Sequence, residues 1–158
     1  MRAAGPRLVD RYLSMMPSAS LPGSVKIVEV GPCDGLQNEG QTVPASVKIE
    51  LANRLSHAGS ANIGAAAFVS PKWVPRMASS ADVMAGIERR SGTIYSALVP
   101  NVKGFAALAA GVDEVVIFAA ASEAFSIKNV NCSIAESIAC FREVAQATLR
   151  TACACGVR

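Results

Sequence analysis

Apolar positions along the chain switch repeatedly between the short runs of strands and the three-to-four spacing of helices. Val25, Ile27, Val28 and Val30 make a β-branched run that Gly31-Pro32 stops, which predicts a first strand over 25–30. Pro44 stands at an acceptable first-turn position, and Val47, Leu51 and Leu55 recur every four residues until Gly59. That spacing predicts a helix with those three on its core face. Residues 62–68 read as a second strand, although Gly64 and three alanines leave it thin in β-branched side chains. A turn rich in Ser70, Pro71 and Pro75 follows, then a helix carrying Asp82, Val83, Met84 and Ile87 that ends near Arg89-Arg90 and Gly92. A third strand is predicted over 93–99, closed by Pro100-Asn101, then a short helix over 102–110 ended by Gly111, and a fourth strand over 114–118. After a loop over 120–131, Ser133 and Glu136 have the spacing of a capping box. The helix it opens has Ile134, Ile138, Phe141, Ala145 and Leu149 on one face and Gly156 at its close; Val157-Arg158 looks like the start of a fifth strand.

Strands alternating with helices imply a parallel sheet of the α/β class. At 158 residues, 51% hydrophobic and 17% charged, the chain can bury one core, and disorder is excluded. Two architectures stay open on these grounds: a complete doubly wound domain, or part of a (β/α)8 barrel, which needs eight units and typically about 250 residues. A formal charge of +3 without a basic block, and few aromatics, argues against a nucleic-acid partner. No apolar run reaches the roughly 18 residues of a membrane span. Five cysteines, Cys33, Cys132, Cys140, Cys153 and Cys155, follow no regular framework, which favours a reducing compartment. Residues 1–24 carry three arginines and four serines against one acid, the look of a transit peptide and equally of a disordered leader.

Candidate chemistry gathers behind the first strand. Asp34 would lie at the carboxyl edge of the sheet, where a loop can hold a carboxylate toward a metal or substrate; alternatively Asp34-Gly35 only forms a turn. Gln37 and Asn38 are candidates for positioning a substrate, or for hydrogen bonds within their own loop. His57, the sole histidine, falls in a last helical turn where its charge favours the helix dipole. Trp73 and Met77 read as packing residues of the turn that carries them, with direct contact to a substrate as the alternative. On one continuous helix Cys153 and Cys155 would stand about 200° apart, too far around the axis to share a metal.

The stretch from Val25 to Glu39 resembles the first-strand signature of the hydroxymethylglutaryl-CoA lyases, members of a metal-dependent TIM-barrel lyase superfamily. Phe68-Val69-Ser70-Pro71-Lys72-Trp73-Val74-Pro75 with Met77 is similar to a segment specific to that family. Pro100-Asn101 with Gly104-Phe105, and Ala120 through Lys128-Asn129 to Ser133, resemble it in the same order. The resemblance decides for the barrel: residues 25–158 are expected to supply about four βα units, an incomplete barrel, behind a leader over 1–24. It implies cleavage of 3-hydroxy-3-methylglutaryl-CoA to acetyl-CoA and acetoacetate, with Mg²⁺ or Mn²⁺ as cofactor, in leucine degradation and ketogenesis in the mitochondrion, with the cytoplasm as the alternative. The ligand is then a small acyl-CoA; no nucleic acid or membrane partner is expected, and open strand edges invite self-association.

By the same resemblance Asp34 matches a metal ligand whose companions, two histidines and an asparagine, come from later strands, and a catalytic cysteine lies on a late loop. Two catalytic positions depart from the family: Cys33 stands where it has arginine, and Gly64 where it has glutamate. The arginine stabilises an enolate. A neutral thiol offers no forked cationic donor for that, so the chain is expected to be inactive as it stands. The competing expectation is a non-catalytic family member that persists as an inert or partner-binding fragment.

Overall fold

The computed structural model describes residues 23–106, 111–151 and 154–157. The leader expected over 1–24 therefore falls almost wholly outside the described residues. Four strands, β1 (Asn62–Ala67), β2 (Ile94–Leu98), β3 (Glu114–Ile117) and β4 (Ala154–Val157), form one parallel sheet in the order β1-β2-β3-β4. Between them run helices α1 (Ala45–His57), ahead of β1, then α2 (Ser80–Gly86), α3 (Val102–Ala106), α4 (Glu123–Val130) and α5 (Ile134–Leu149). Each strand lies beside its neighbour in sequence. A doubly wound sheet reverses that order at a switch point, whereas a barrel never does. The architecture is an incomplete (β/α)8 barrel.

The strand expected over 25–30 is reduced to a single parallel bridge, Glu29 to Ile63. Glu29 donates its N–H to the Asn62 carbonyl at 2.9 Å and accepts from Gly64 N–H at 2.7 Å. Val25 and Ile27 are 74% and 79% exposed. β-branched side chains favour a strand only where a partner strand and a packed face receive them, and this segment lies at the sheet edge. β1, by contrast, is buried at all six positions. Its pairing with β2 slips by one residue between Gly64 and Ala66, which leaves Ala65 as a bulge.

Helix faces also differ from the periodic reading. In α1 the fully buried residues are Lys48, Ala52 and Ser56; of the three expected, Leu55 packs half-buried on the core, Leu51 is half-buried, and Val47 is half exposed. The inward face is turned by one position, about 100°. In α5, Ser137, Val144 and Thr148 are buried, Phe141 packs on the core, and Ile138 and Leu149 point outward. Buried hydroxyls cost little when their own helix satisfies them. Ser137 Oγ donates to Ile134 O and Thr148 Oγ1 to Val144 O, each at 2.7 Å. Hydropathy therefore misjudged the face.

The expected loop over 120–131 contains α4. Ser122 Oγ accepts from Phe125 N–H at 3.4 Å, and Asn131 ends the helix with φ 55°, a left-handed cap that asparagine tolerates. The capping box follows at once: Ser133 Oγ accepts from Glu136 N–H at 3.2 Å, and Ser133 N–H donates to Glu136 Oε2 at 2.8 Å. The Ser133 N–H and the Ser133 hydroxyl, the latter 2.7 Å from Oε2, both donate to the Glu136 carboxyl and hold it below its usual range. The last helix ends at Leu149, not at Gly156, and Cys155 lies in β4 opposite Val115. The chelation geometry considered for Cys153 and Cys155 thus does not arise, and Cys153 is outside the described residues.

Candidate functional site

The carboxyl ends of β1, β2 and β3 open into a cleft of about 760 Å³. Its floor includes Gly64, Ser96 and Val116, and its walls are the segments that follow the strands: 69–74, 100–101 and 118–131. This is the end at which parallel βα units keep their functional groups, because each strand terminus fixes the start of a loop.

The remaining wall comes from the segment after the Glu29 bridge. Pro32 and Cys33 are buried and Asp34 is exposed. Asp34 N–H donates to Val30 O at 2.8 Å, and Glu29 Oε1 accepts from Gly31 N–H at 2.7 Å. The turn Gly35–Asn38 then closes back, with Asn38 Nδ2 donating to Asp34 O at 3.3 Å. Cys33 packs against Ala67 and Met77, and its thiol lies 3.5 Å from Val30 O. Residues far apart in sequence thereby meet: Cys33, Asp34, Gln37 and Gly64 all line the cleft. Asn38 is not among the lining residues and spends its amide within the turn.

Met77 is a packing residue, 3% exposed, but Trp73 is not: it is 81% exposed and lies along the cleft. The turn from Ser70 to Val74, closed by Trp73 and Val74 N–H bonds to Ser70 O at 3.0 Å, holds the indole outward. His57 sits in the last turn of α1, its Nδ1 2.7 Å from Asn53 O. Sequence reasoning missed Ser96 and Val116, whose only signal was their place in the carboxyl halves of strands. Lys128, at the far end of α4, brings a cation to the wall.

Whether these residues fit a divalent metal depends on the donors they offer. Among the described residues no three of His, Cys, Asp and Glu gather to hold an ion. Asp34 is the one carboxylate among the cleft residues, and a hard cation takes about six oxygens. The described residues alone do not make such a site. Burial raises the Cys132 thiol pKa, with Glu136, Cys140 and Glu123 adding to the effect, the opposite direction from that of an activated thiol.

Comparison with known proteins places these features. The HMGL-like family model matches residues 24–155. A mitochondrial hydroxymethylglutaryl-CoA lyase of Bos taurus is 54% identical over 87% of this chain and 42% of its own length. The crystal structure of a hydroxymethylglutaryl-CoA lyase from Pseudomonas aeruginosa superposes with a TM-score of 0.81 at 54% identity, over 87% of this chain and 46% of that one. An HMG-CoA lyase from Acinetobacter baumannii, solved in complex with coenzyme A and 3-methylmalate, superposes with a TM-score of 0.78 at 36% identity, over 82% of this chain and 43% of that one. Both mitochondrial and cytoplasmic lyases occur among the relatives. The chain spans less than half the length of the relatives it matches.

Proposed function

This chain belongs to the HMGL-like family, and on that premise we propose that its cleft is the amino-terminal wall of a carbon–carbon lyase site, with no turnover from these 158 residues alone. The substrate is a 3-hydroxy-3-methylglutaryl thioester of coenzyme A, split to acetyl-CoA and acetoacetate, in leucine breakdown and ketone-body formation in mitochondria. The observation that carries the reading is the meeting of Cys33, Asp34, Gln37 and Gly64 in one cleft at the carboxyl edge of the sheet.

Asp34, exposed on a backbone-pinned loop, is the group that offers negative charge to a Mg²⁺ or Mn²⁺ ion or to a substrate hydroxyl. The cleft wall with Lys128 and Trp73 supplies a cation and an aromatic face to the acyl-CoA. When bound, the metal makes a coordinated hydroxyl easier to deprotonate; the donors that complete its site are not among the described residues.

A second reading, a non-catalytic family member, is favoured by the same cleft. Cys33 and Gly64 replace the arginine and the glutamate that the family resemblance expects there, so a cation and an anion are missing together. Four proteins separate the readings: the 158-residue chain and its fusion to the carboxyl-terminal part of the Pseudomonas aeruginosa lyase, each with and without Cys33→Arg plus Gly64→Glu. Acetoacetate release should be absent from both short chains. The unrepaired fusion should be slower than the repaired one by about a hundredfold or more, the cost of losing an oxyanion contact. Fast turnover by the unrepaired short chain would overturn the proposal, and a repaired fusion that stays inactive would favour the second reading.

A further inference from the structure

Lys48 lies on the inward face of α1 and is only 3% exposed. Its ammonium donates to the Arg76 carbonyl and to Ser79 Oγ, the latter at 3.2 Å. Both acceptors are neutral oxygens. A buried cation held this way is a poor source of stability, because desolvation opposes it and an apolar side chain of similar size would pack at less cost. Burial accordingly lowers its pKa. What an ammonium provides instead is direction: three donors aimed at fixed oxygens.

Those oxygens belong to the segment that borders the cleft. Arg76 and Met77 form the turn Pro75–Met77. Arg76 Nη1 donates to Gln37 O at 3.3 Å, on the turn directly after Asp34. Met77 packs beneath Cys33 and Ala67. Ser80 Oγ lies 2.8 Å from both Ala67 O and Met77 O and ties the same segment to β1. Contacts therefore run without a gap from the rigid helix α1 through the 75–79 segment to the loop that carries Cys33 and Asp34.

We propose that Lys48 is a positioning residue of the cleft, a buried strap that fixes the Pro75–Met77 turn and through it the Asp34 loop. Its significance for catalysis rests on the lyase reading above; the strap itself does not. Lys48 touches neither the cleft nor Asp34 and acts through Arg76 and Met77.

Hydrogen exchange on the 158-residue chain tests it without substrate. Lys48→Met keeps the apolar stem and removes the donors. Protection of amides in 35–39 and 75–79 should fall by about tenfold or more, the loss expected for hydrogen bonds from a charged donor. Amides of β2 and β3 should change by less than about twofold. Emission anisotropy of Trp73, the single tryptophan, should fall in parallel. Equal loss of protection throughout the sheet would reduce Lys48 to a general packing role and overturn the proposal, as would unchanged protection in 35–39. Arg76→Met, at a half-buried site, keeps the idea testable should Lys48→Met fail to fold: it should loosen 35–39 and spare 75–79, and an unmoved 35–39 overturns the strap. Failure of the fusion enzymes would sink the lyase reading and leave these exchange results standing.

Discussion

The segment 25–30 and strand β1 exchange the roles their residues suggest. Val25, Ile27, Val28 and Val30 have the side chains of a strand and make one bridge; Gly64 and three consecutive alanines lack them and make a full strand, buried at every position. Pairing and cover decide the difference. β1 is hydrogen-bonded on one side to β2 and on the other to Glu29, with α1 and α2 packed over it, and small side chains let those helices approach. The edge segment has the propensity without the neighbours, and propensity alone is worth about 1 kcal/mol or less per residue.

Substitutions can break that comparison, the largest effect first. Ile63→Ala, at a fully buried β1 position, should lower unfolding free energy by about 3 kcal/mol in urea titration, the transfer plus cavity cost of a core isoleucine. Gly104→Ala tests how tightly the end of β1 is covered. A Cβ there would stand 2.6 Å from the Phe68 carbonyl, so α3 must shift, at about 2 kcal/mol by the same measurement. Ser133→Ala sets a scale away from both segments: loss of the cap of α5 should cost about 1 kcal/mol.

The pH dependence of that cap has a definite sign. Glu136 has its folded pKa depressed, so its contribution is complete above the unfolded pKa and is lost as pH falls through the folded value. Glu136→Gln should lower thermal stability near neutrality, where the contribution is complete, and flatten its pH dependence across that acid window. The smallest effect belongs to the edge: Ile27→Ala, at 79% exposure, should move stability by less than about 0.5 kcal/mol. A loss near that of Ile63→Ala would mean that the edge is covered in solution, and light scattering would then show self-association.

The parallel sheet, the helix starts at Pro44 and Ser133 and the position of the Asp34 loop were legible because turn chemistry and capping are local. Helix faces were not, since Lys48, Ser137 and Thr148 are polar yet buried, with partners that hydropathy cannot see. The end of α5 was misplaced because the pairing that turns 154–157 into a strand comes from β3, some forty residues earlier. At the site, Asp34 was read from its place behind the first strand, whereas Cys33 and Gly64 were singled out through family resemblance. Their meeting across β1 needed the fold. Trp73 was misjudged because aromatic side chains usually signal packing, whereas its turn holds it out at the cleft.

The bulge at Ala65 works like a shift of reading frame within the strand. Before it, Ile63 belongs to the core cluster and Gly64 faces the cleft; after it, Ala66 joins that core and Ala67 lies with Cys33 and Met77 on the cleft side. Strict alternation would have sent Ala66 and Ala67 the other way. Anyone grafting this strand into a relative, or aligning the two by eye, must therefore count the extra alanine as part of the site. Deleting Ala65 would make the pairing continuous, with Ala66 still opposite Ala97 and Ala67 still opposite Leu98, so both keep their faces and only the local bend is lost; replacing the bulge by regular pairing of all six residues is what would turn Ala67 away from Cys33.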